Sequence, residues 1–195
     1  FAKAPNPPKV TAVPGDGVVT LYWDRSAEST QDKYMGNITN GADLYDFEGY
    51  KIYRATDFEF NDAYNITDGD GNPTFLEPYV QNGIRAQWDL VDGKSGWHPV
   101  DLNGIKFYLG DDTGLTHSYV DHNVVNGQRY YYAVVSYDYG GDLSNNIIPS
   151  DSPMKLRVNP LTGAVSLGPN VVEVVPSPPS AGFVDASFAG DQVDH

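Results

Sequence analysis

The chain has 195 residues, with 26 acidic side chains against 12 basic ones, a net charge of −14 and no cysteine. That charge argues against a phosphate backbone or an anionic membrane face as partner. The missing thiols exclude disulfides, cysteine nucleophiles and thiolate metal sites together, and no run of about 18 apolar residues could span a membrane.

Aromatic residues make up 13% of the chain, including 14 Tyr, and 20 Gly and 14 Pro supply frequent turns. This composition predicts an all-β fold. Residues 1–8 form a Pro-rich extended lead-in. Residues 10–12 and 18–23 read as strands around the turn Pro14-Gly15-Asp16-Gly17, with Leu21 and Trp23 on one face and Tyr22 on the other. Residues 24–46 have neither period and read as a loop. Residues 47–55 read as a strand in which Tyr50, Ile52 and Arg54 alternate with Lys51 and Tyr53.

Residues 56–117 read as an insertion, too short and polar for its own core and therefore laid against the main fold. It holds short strand candidates at 86–90 and 105–109, with a turn at 94–99 between them. Residues 118–120 and 129–137 follow as strands, the second introduced by the turn dipeptide Asn126-Gly127. On that strand Tyr130, Tyr132 and Val134 share one face, and Tyr131, Ala133, Val135 and Tyr137 the other. A polar loop at 140–152 leads to a closing strand at 154–158, and the domain is expected to end near Asn159-Pro160. Residues 161–195 read as a separate tail with one strand, Val171, Val172, Val174 and Val175 around Glu173, then Pro176, Pro178 and Pro179 and residues 183–188, and little else.

Four pieces of this pattern resemble a fibronectin type III domain. Pro7-Pro8-Lys9-Val10-Thr11-Ala12 resembles its A strand, Val18-Val19-Thr20-Leu21-Tyr22-Trp23 its B strand with the core Trp, and Tyr50-Lys51-Ile52-Tyr53-Arg54 its C strand. The stretch from Asn126 to Gly140 resembles the F strand, with Tyr130 at the tyrosine-corner position. The resemblance implies an immunoglobulin-like β-sandwich over residues 1–160, with Trp23, Tyr50, Ile52, Tyr132 and Val134 in one core. It also implies that residues 56–117 are a long insertion between the C and E strands, and that 161–195 are a C-terminal extension. Such domains are similar to those of large secreted bacterial surface proteins, so the resemblance implies an extracellular or cell-surface location.

Few residues point to chemistry. Asp68, Asp70 and Asn72 alternate with glycines and could wrap a hard cation, so Ca²⁺ is the one cofactor expected. Pro73 and Tyr79 depart from the EF-hand pattern. His117 and His122 would point to opposite faces of a strand, and the histidines read as exposed loop residues. Neither G-x-S-x-G nor H-E-x-x-H occurs. Trp88 and Trp97 could form an aromatic sugar platform if coplanar and exposed.

The expected function is therefore a non-catalytic structural or adhesive module, partnered by other protein modules or by copies of itself. The alternative is a carbohydrate-binding module of a secreted enzyme. The strand at 171–175 would either join neighbouring modules by strand pairing, as in a surface filament, or pair with an edge of its own sandwich.

Overall fold

A computed structural model describes residues 2–102 and 104–180. The stretch 183–188 lies outside the described residues, as does the remainder of the expected tail beyond residue 180. In chain order the elements are β1 (Val10–Gly15), β2 (Val18–Trp23), the short helix α1 (Lys33–Ile38) and β3 (Phe47–Ala55). The insertion contributes β4 (Ile66–Thr67), β5 (Pro73–Phe75), β6 (Val80–Gln81), β7 (Ile84–Arg85), β8 (Gln87–Asp89), β9 (Trp97–Leu102) and β10 (Ile105–Tyr108). Then come β11 (Ser118–Asp121), β12 (Tyr130–Asp138), β13 (Leu156–Val158), β14 (Val165–Leu167) and β15 (Val171–Val174).

Two antiparallel sheets form an all-β sandwich, one of order β1-β2-β11 and the other of order β15-β12-β3-β8. Alternation along the strands sets what lies between them. Leu21 and Trp23 point inward while Tyr22 is 51% exposed. Tyr50 and Ile52 of β3 and Tyr132 and Val134 of β12 meet them in one core, as the strand pattern predicts. Trp23 stacks edge-on against Tyr50, with ring centroids 5.9 Å apart. The hydroxyl of Tyr130 accepts a hydrogen bond from the backbone N–H of Val125 at 3.0 Å, closing the turn that feeds β12. Gly127 makes that turn at φ 80°, where a side chain would be strained.

The second sheet is buried on both faces. Every residue of β12 is buried, and so is every residue of β3 except Arg54. A half-buried antiparallel strand would alternate instead. Tyr53 and Ala55 of β3, Tyr131, Ala133 and Val135 of β12 and Val171 of β15 form a second core on the outer face. Phe58, Phe60, Ala63 and Leu76 of the insertion, with Met154, Leu156 and Leu167, cover it. The insertion is thus a third layer whose apolar residues are stable only on this sheet.

Four sequence expectations need correcting. The first concerns the last strand and the domain boundary. Residues 154–158 do not close the sheet: β13 pairs with β14 in a separate hairpin, Leu156 opposite Leu167. The free edge of β12 is shared by two segments. Ser152 donates its N–H to the Ser136 carbonyl at 2.7 Å, and Tyr137 bridges to Asp151. The next donor along β12, the Val134 N–H, goes instead to the Asn170 carbonyl at 2.9 Å, and the chain leaves as β13 and β14. It returns as β15, with Tyr130 opposite Val174 and Ala133 opposite Val171. The Asn170 amide donates to the Pro153 carbonyl at 3.2 Å, tying exit to re-entry. Residues 159–163 are the tip of this hairpin, with Gly163 at φ 68°, and not a domain end. The strand at 171–174 belongs to the sandwich itself, so the domain runs past 160.

The second correction is at residues 24–46, which include a 3₁₀ turn (Ser26–Ser29) and α1. Asp32 caps α1 by accepting from the N–H groups of Tyr34 and Met35 at 2.7 and 3.0 Å, and Met35 is fully buried. Two adjacent buried residues over six, Met35 and Gly36, leave too little period to see. The third is that the turn expected at 94–99 ends in β9, which pairs with β10. The fourth is that His98 is buried, not an exposed loop residue. Its Nε2 donates to the Gly141 carbonyl at 2.7 Å, and Nδ1 accepts from the Val100 N–H at 3.2 Å.

Candidate functional site: a cleft under the insertion

The third layer does not cover the outer face completely. Between the hairpins β4–β5 and β9–β10, strand β7 and residues 148–151 lies a cleft of about 380 Å³. Its volume falls in the range of small-molecule sites. Lys51 and Tyr53 project into it from β3, because they alternate with the core residues Tyr50 and Ile52 and so face outward.

Lys51 is 5% exposed, and its ammonium is fully engaged. It donates to Asp151 Oδ1 at 3.1 Å, and lies 3.5 Å from the centre of the Phe107 ring and 4.5 Å from that of Tyr137. Tyr53 donates its hydroxyl proton to the other carboxylate oxygen of Asp151 at 2.7 Å. Burial pushes the Lys51 ammonium down from its ordinary value, and Asp151 opposes that shift. Burial pushes the Tyr53 hydroxyl well up, and Asp151 adds to it.

The walls are apolar and aromatic, with Ile66, Phe75, Trp97, Val100, Ile105 and Tyr108 among them. Arg85 stacks on the Tyr108 ring at 5.0 Å, and Lys106 stands exposed on β10. The Gln87 amide donates to the carbonyls of Tyr108 and Leu109 at 2.9 and 3.1 Å, holding the β9–β10 hairpin against β8.

A second group of titrating side chains is sealed at one end of the same sheet. Glu48 is fully buried, and neither carboxylate oxygen has a hydrogen-bond partner among the described residues. Burial, then the nearby Asp92, Asp89 and Asp112, push its pKa up to about 8. Asp46 is raised to about 7 by burial and then by Asp138 and Asp32. Asp138 is raised to about 6 by burial, against hydrogen bonds from Ser150 and Gly140. Asp89 is satisfied: its carboxylate accepts from the N–H groups of Asp112 and Thr113 at 2.7 and 2.8 Å and so folds residues 110–113 over the sheet end.

The residues singled out from sequence fall in three places. Asp68, Asp70 and Asn72 sit in the turn between β4 and β5. Asp68 Oδ1 accepts from the backbone N–H groups of Asp70 and Asn72 at 3.0 and 2.9 Å, and the Asn72 amide donates to Oδ2 at 3.2 Å. These hydrogen bonds hold the Asp68 carboxyl below its ordinary pKa. The carboxylate therefore closes its own turn, and the group presented beside it by Asn72 is a donor. As placed, these residues do not fit a Ca²⁺ cage. Among the described residues, no three carboxylate or imidazole groups converge on a metal position.

Trp88 and Trp97 do not form a platform. Trp88 is half-buried against the main core, 5.8 Å from Trp23 and 5.5 Å from Tyr119. Trp97 is 62% exposed on the β9–β10 hairpin at the cleft, edge-on to Tyr108 at 5.0 Å. One is core and the other cleft wall, because β8 joins the main sheet while β9 does not. Val171, Val172 and Val174 are spent on β12 and the two cores, and Val175 follows the strand at 38% exposed.

Sequence reading missed Lys51, Asp151, Arg85 and Phe107. One signal was present: Lys51 lies between Tyr50, Ile52 and Tyr53 on a strand with apolar residues at both parities, which marks a strand covered on both faces. Asp151 carries no such mark, since its partner is 100 residues away.

No family model, curated protein or solved structure matches the chain.

Proposed function

We propose that this chain is a non-catalytic extracellular binding module of the fibronectin type III kind, acting through the cleft that its insertion builds on the outer face of the second sheet. The observation that carries the reading is the construction of that cleft: a concave, aromatic-walled space whose one carboxylate among the described residues, Asp151, is already engaged by Lys51 and Tyr53. Such a site is organised to hold a ligand. The carboxyls with raised pKa, at Asp46, Glu48 and Asp138, are sealed in the sheet end and do not line it, so the groups suited to proton transfer are kept from a bound molecule.

The family reading is supported by the strand order, β1-β2-β11 against β15-β12-β3-β8, by Trp23 in the core and by the hydrogen bond from Val125 to Tyr130. The extracellular placement rests on that resemblance. Other protein modules or further copies of the chain are its expected neighbours, but β15 is not the strand that joins them through β12.

The test is ligand-observed and protein-observed NMR with a library of small apolar and aromatic compounds. The reading predicts shifts confined to cleft residues such as Lys51, Val100 and Phe107, with every ligand recovered unchanged. Shifts elsewhere only, or chemical conversion of a ligand, would contradict it.

A further inference from the structure

The charge inside the cleft runs against the charge of the chain. Overall there are 26 acidic side chains and 12 basic ones. Yet three of those 12, Lys51, Arg85 and Lys106, line the cleft beside a single carboxylate among the described residues, Asp151. That carboxylate is committed to Lys51 at 3.1 Å and to the Tyr53 hydroxyl at 2.7 Å. Arg85 is half-buried and, among the described residues, makes no ion pair; its guanidinium rests on the Tyr108 ring. It is close enough to Lys51 to disfavour that ammonium further. A half-buried guanidinium whose donors are unspent among the described residues attracts an anion strongly, because the surrounding apolar wall weakens screening. Around it the lining is hydrocarbon and aromatic ring, which favours a ligand with an apolar body.

Building on the reading of the cleft as the binding site, we infer that its ligand is a small amphipathic anion, an aromatic or aliphatic body carrying one anionic head group, with Arg85 as the head-group residue and Lys106 at the rim. The acidic exterior gives the arrangement selectivity. An anion is repelled by the surface at large and attracted only where the basic side chains gather. Lys51 does not bind the ligand directly; its charge, paired with Asp151, anchors the floor.

Two dyes with nearly the same aromatic body separate the parts of this claim. The probes are 1-anilinonaphthalene-8-sulfonate, which is anionic, and N-phenyl-1-naphthylamine, which is neutral, each titrated by fluorescence into the full chain. Wild type should bind the sulfonate about tenfold tighter than the neutral dye, the worth of one charge-assisted hydrogen bond. Arg85→Gln should remove that preference and leave the neutral dye unaffected. Lys106→Glu, an exposed change that leaves the core untouched, should weaken the sulfonate alone. Ile105→Trp, which fills the cleft, should abolish binding of both. If both dyes bind equally, or the neutral one more tightly, the anion inference is overturned while the cleft stands as a site. If Arg85→Gln and Lys106→Glu both leave the sulfonate affinity unchanged, the assignment to these residues fails. If neither dye binds, or if folded Ile105→Trp binds both as wild type does, the cleft reading itself is wrong.

Discussion

Lys51 and Asp151 lie 100 residues apart in sequence and meet at 3.1 Å on the outer face of the second sheet, beneath the ring of Phe107. The pair joins a sandwich strand, the segment that leaves β12 at Pro153, and the insertion hairpin. Removing one partner leaves a charge in an apolar setting. Asp151→Ala should therefore destabilise the fold by on the order of 3 kcal/mol, and Lys51→Met with Asp151→Ala together should cost less than Asp151→Ala alone. Urea unfolding of the two single variants and the double variant gives the coupling directly. A double variant as unstable as the sum of the singles would show that the pair does not hold the layers together.

The interrupted last strand makes a prediction about truncation. A chain stopped after Asn159 loses β15 and with it the burial of Val171 and Val174. Each such side chain contributes roughly 1.5–3 kcal/mol, and the backbone ladder to residues 130–133 goes with them. The total is comparable to the whole stability of an ordinary domain, about 5–15 kcal/mol. Truncation at 159 should abolish the cooperative melt seen by circular dichroism. A shortened chain with a sharp transition near that of the intact one would return the boundary to residue 160.

Strands β2, β3 and β12 were legible in the sequence because alternation and β-branched or aromatic residues act locally. So were the core residues Trp23, Tyr50, Ile52, Tyr132 and Val134 and the turn at Asn126-Gly127. The strand at 171–174 was legible as a strand but not as a partner of β12, since the chain leaves that edge after Ser152 and only the three-dimensional return of Asn170, to the Pro153 carbonyl and the Val134 N–H, repairs it. Trp88 was misplaced for a related reason: Tyr50 opposite Trp88 is a pairing across the insertion, invisible to periodicity. Gly49 shows the tightness of that approach, because a Cβ there would lie 2.2 Å from the Trp88 carbonyl oxygen. The cleft was not legible at all, because its walls come from five separate segments.

Stability should fall as the solution becomes alkaline. Glu48, Asp46 and Asp138 have pKa values raised to about 8, 7 and 6, from ordinary values of 4.5, 3.8 and 3.8. Between those limits the folded chain holds more protons than the unfolded one, so the stabilisation is fully present below about pH 4 and is lost as pH rises to 8. Each group contributes at most about 1.4 kcal/mol per pH unit within its window. Asp24 and Asp112 act oppositely: burial opposes the shift at Asp24, but hydrogen bonds hold both below their ordinary values, and their contribution is lost only in stronger acid. The melting temperature should peak near the lower end of the window and decline toward pH 8.5, and Glu48→Gln should flatten the upper part of that decline. A melting temperature that rises steadily from pH 5 to 8.5 would contradict the buried, protonated state of Glu48.

The turn at Asp68 makes a simpler prediction. Its carboxylate is satisfied by the N–H groups of Asp70 and Asn72, so a cation would have to displace those donors. Thermal unfolding in millimolar Ca²⁺ and in chelator should give the same midpoint. A higher midpoint with Ca²⁺ that disappears in Asp68→Ala would establish a cation site the present geometry does not support.

The insertion roofs the outer face of the second sheet and so creates the cleft. The chain's lack of cysteine allows a direct measurement through single introduced thiols. Val135 faces outward on β12 yet is 1% exposed, whereas Tyr22 faces outward on β2 and is 51% exposed. In native conditions Tyr22→Cys should react with a thiol reagent at the rate of a free peptide thiol, and Val135→Cys only at the rate at which the protein unfolds. Equal, rapid labelling of both, in proteins that circular dichroism shows to be folded, would mean that the outer face is open and that the cleft does not exist.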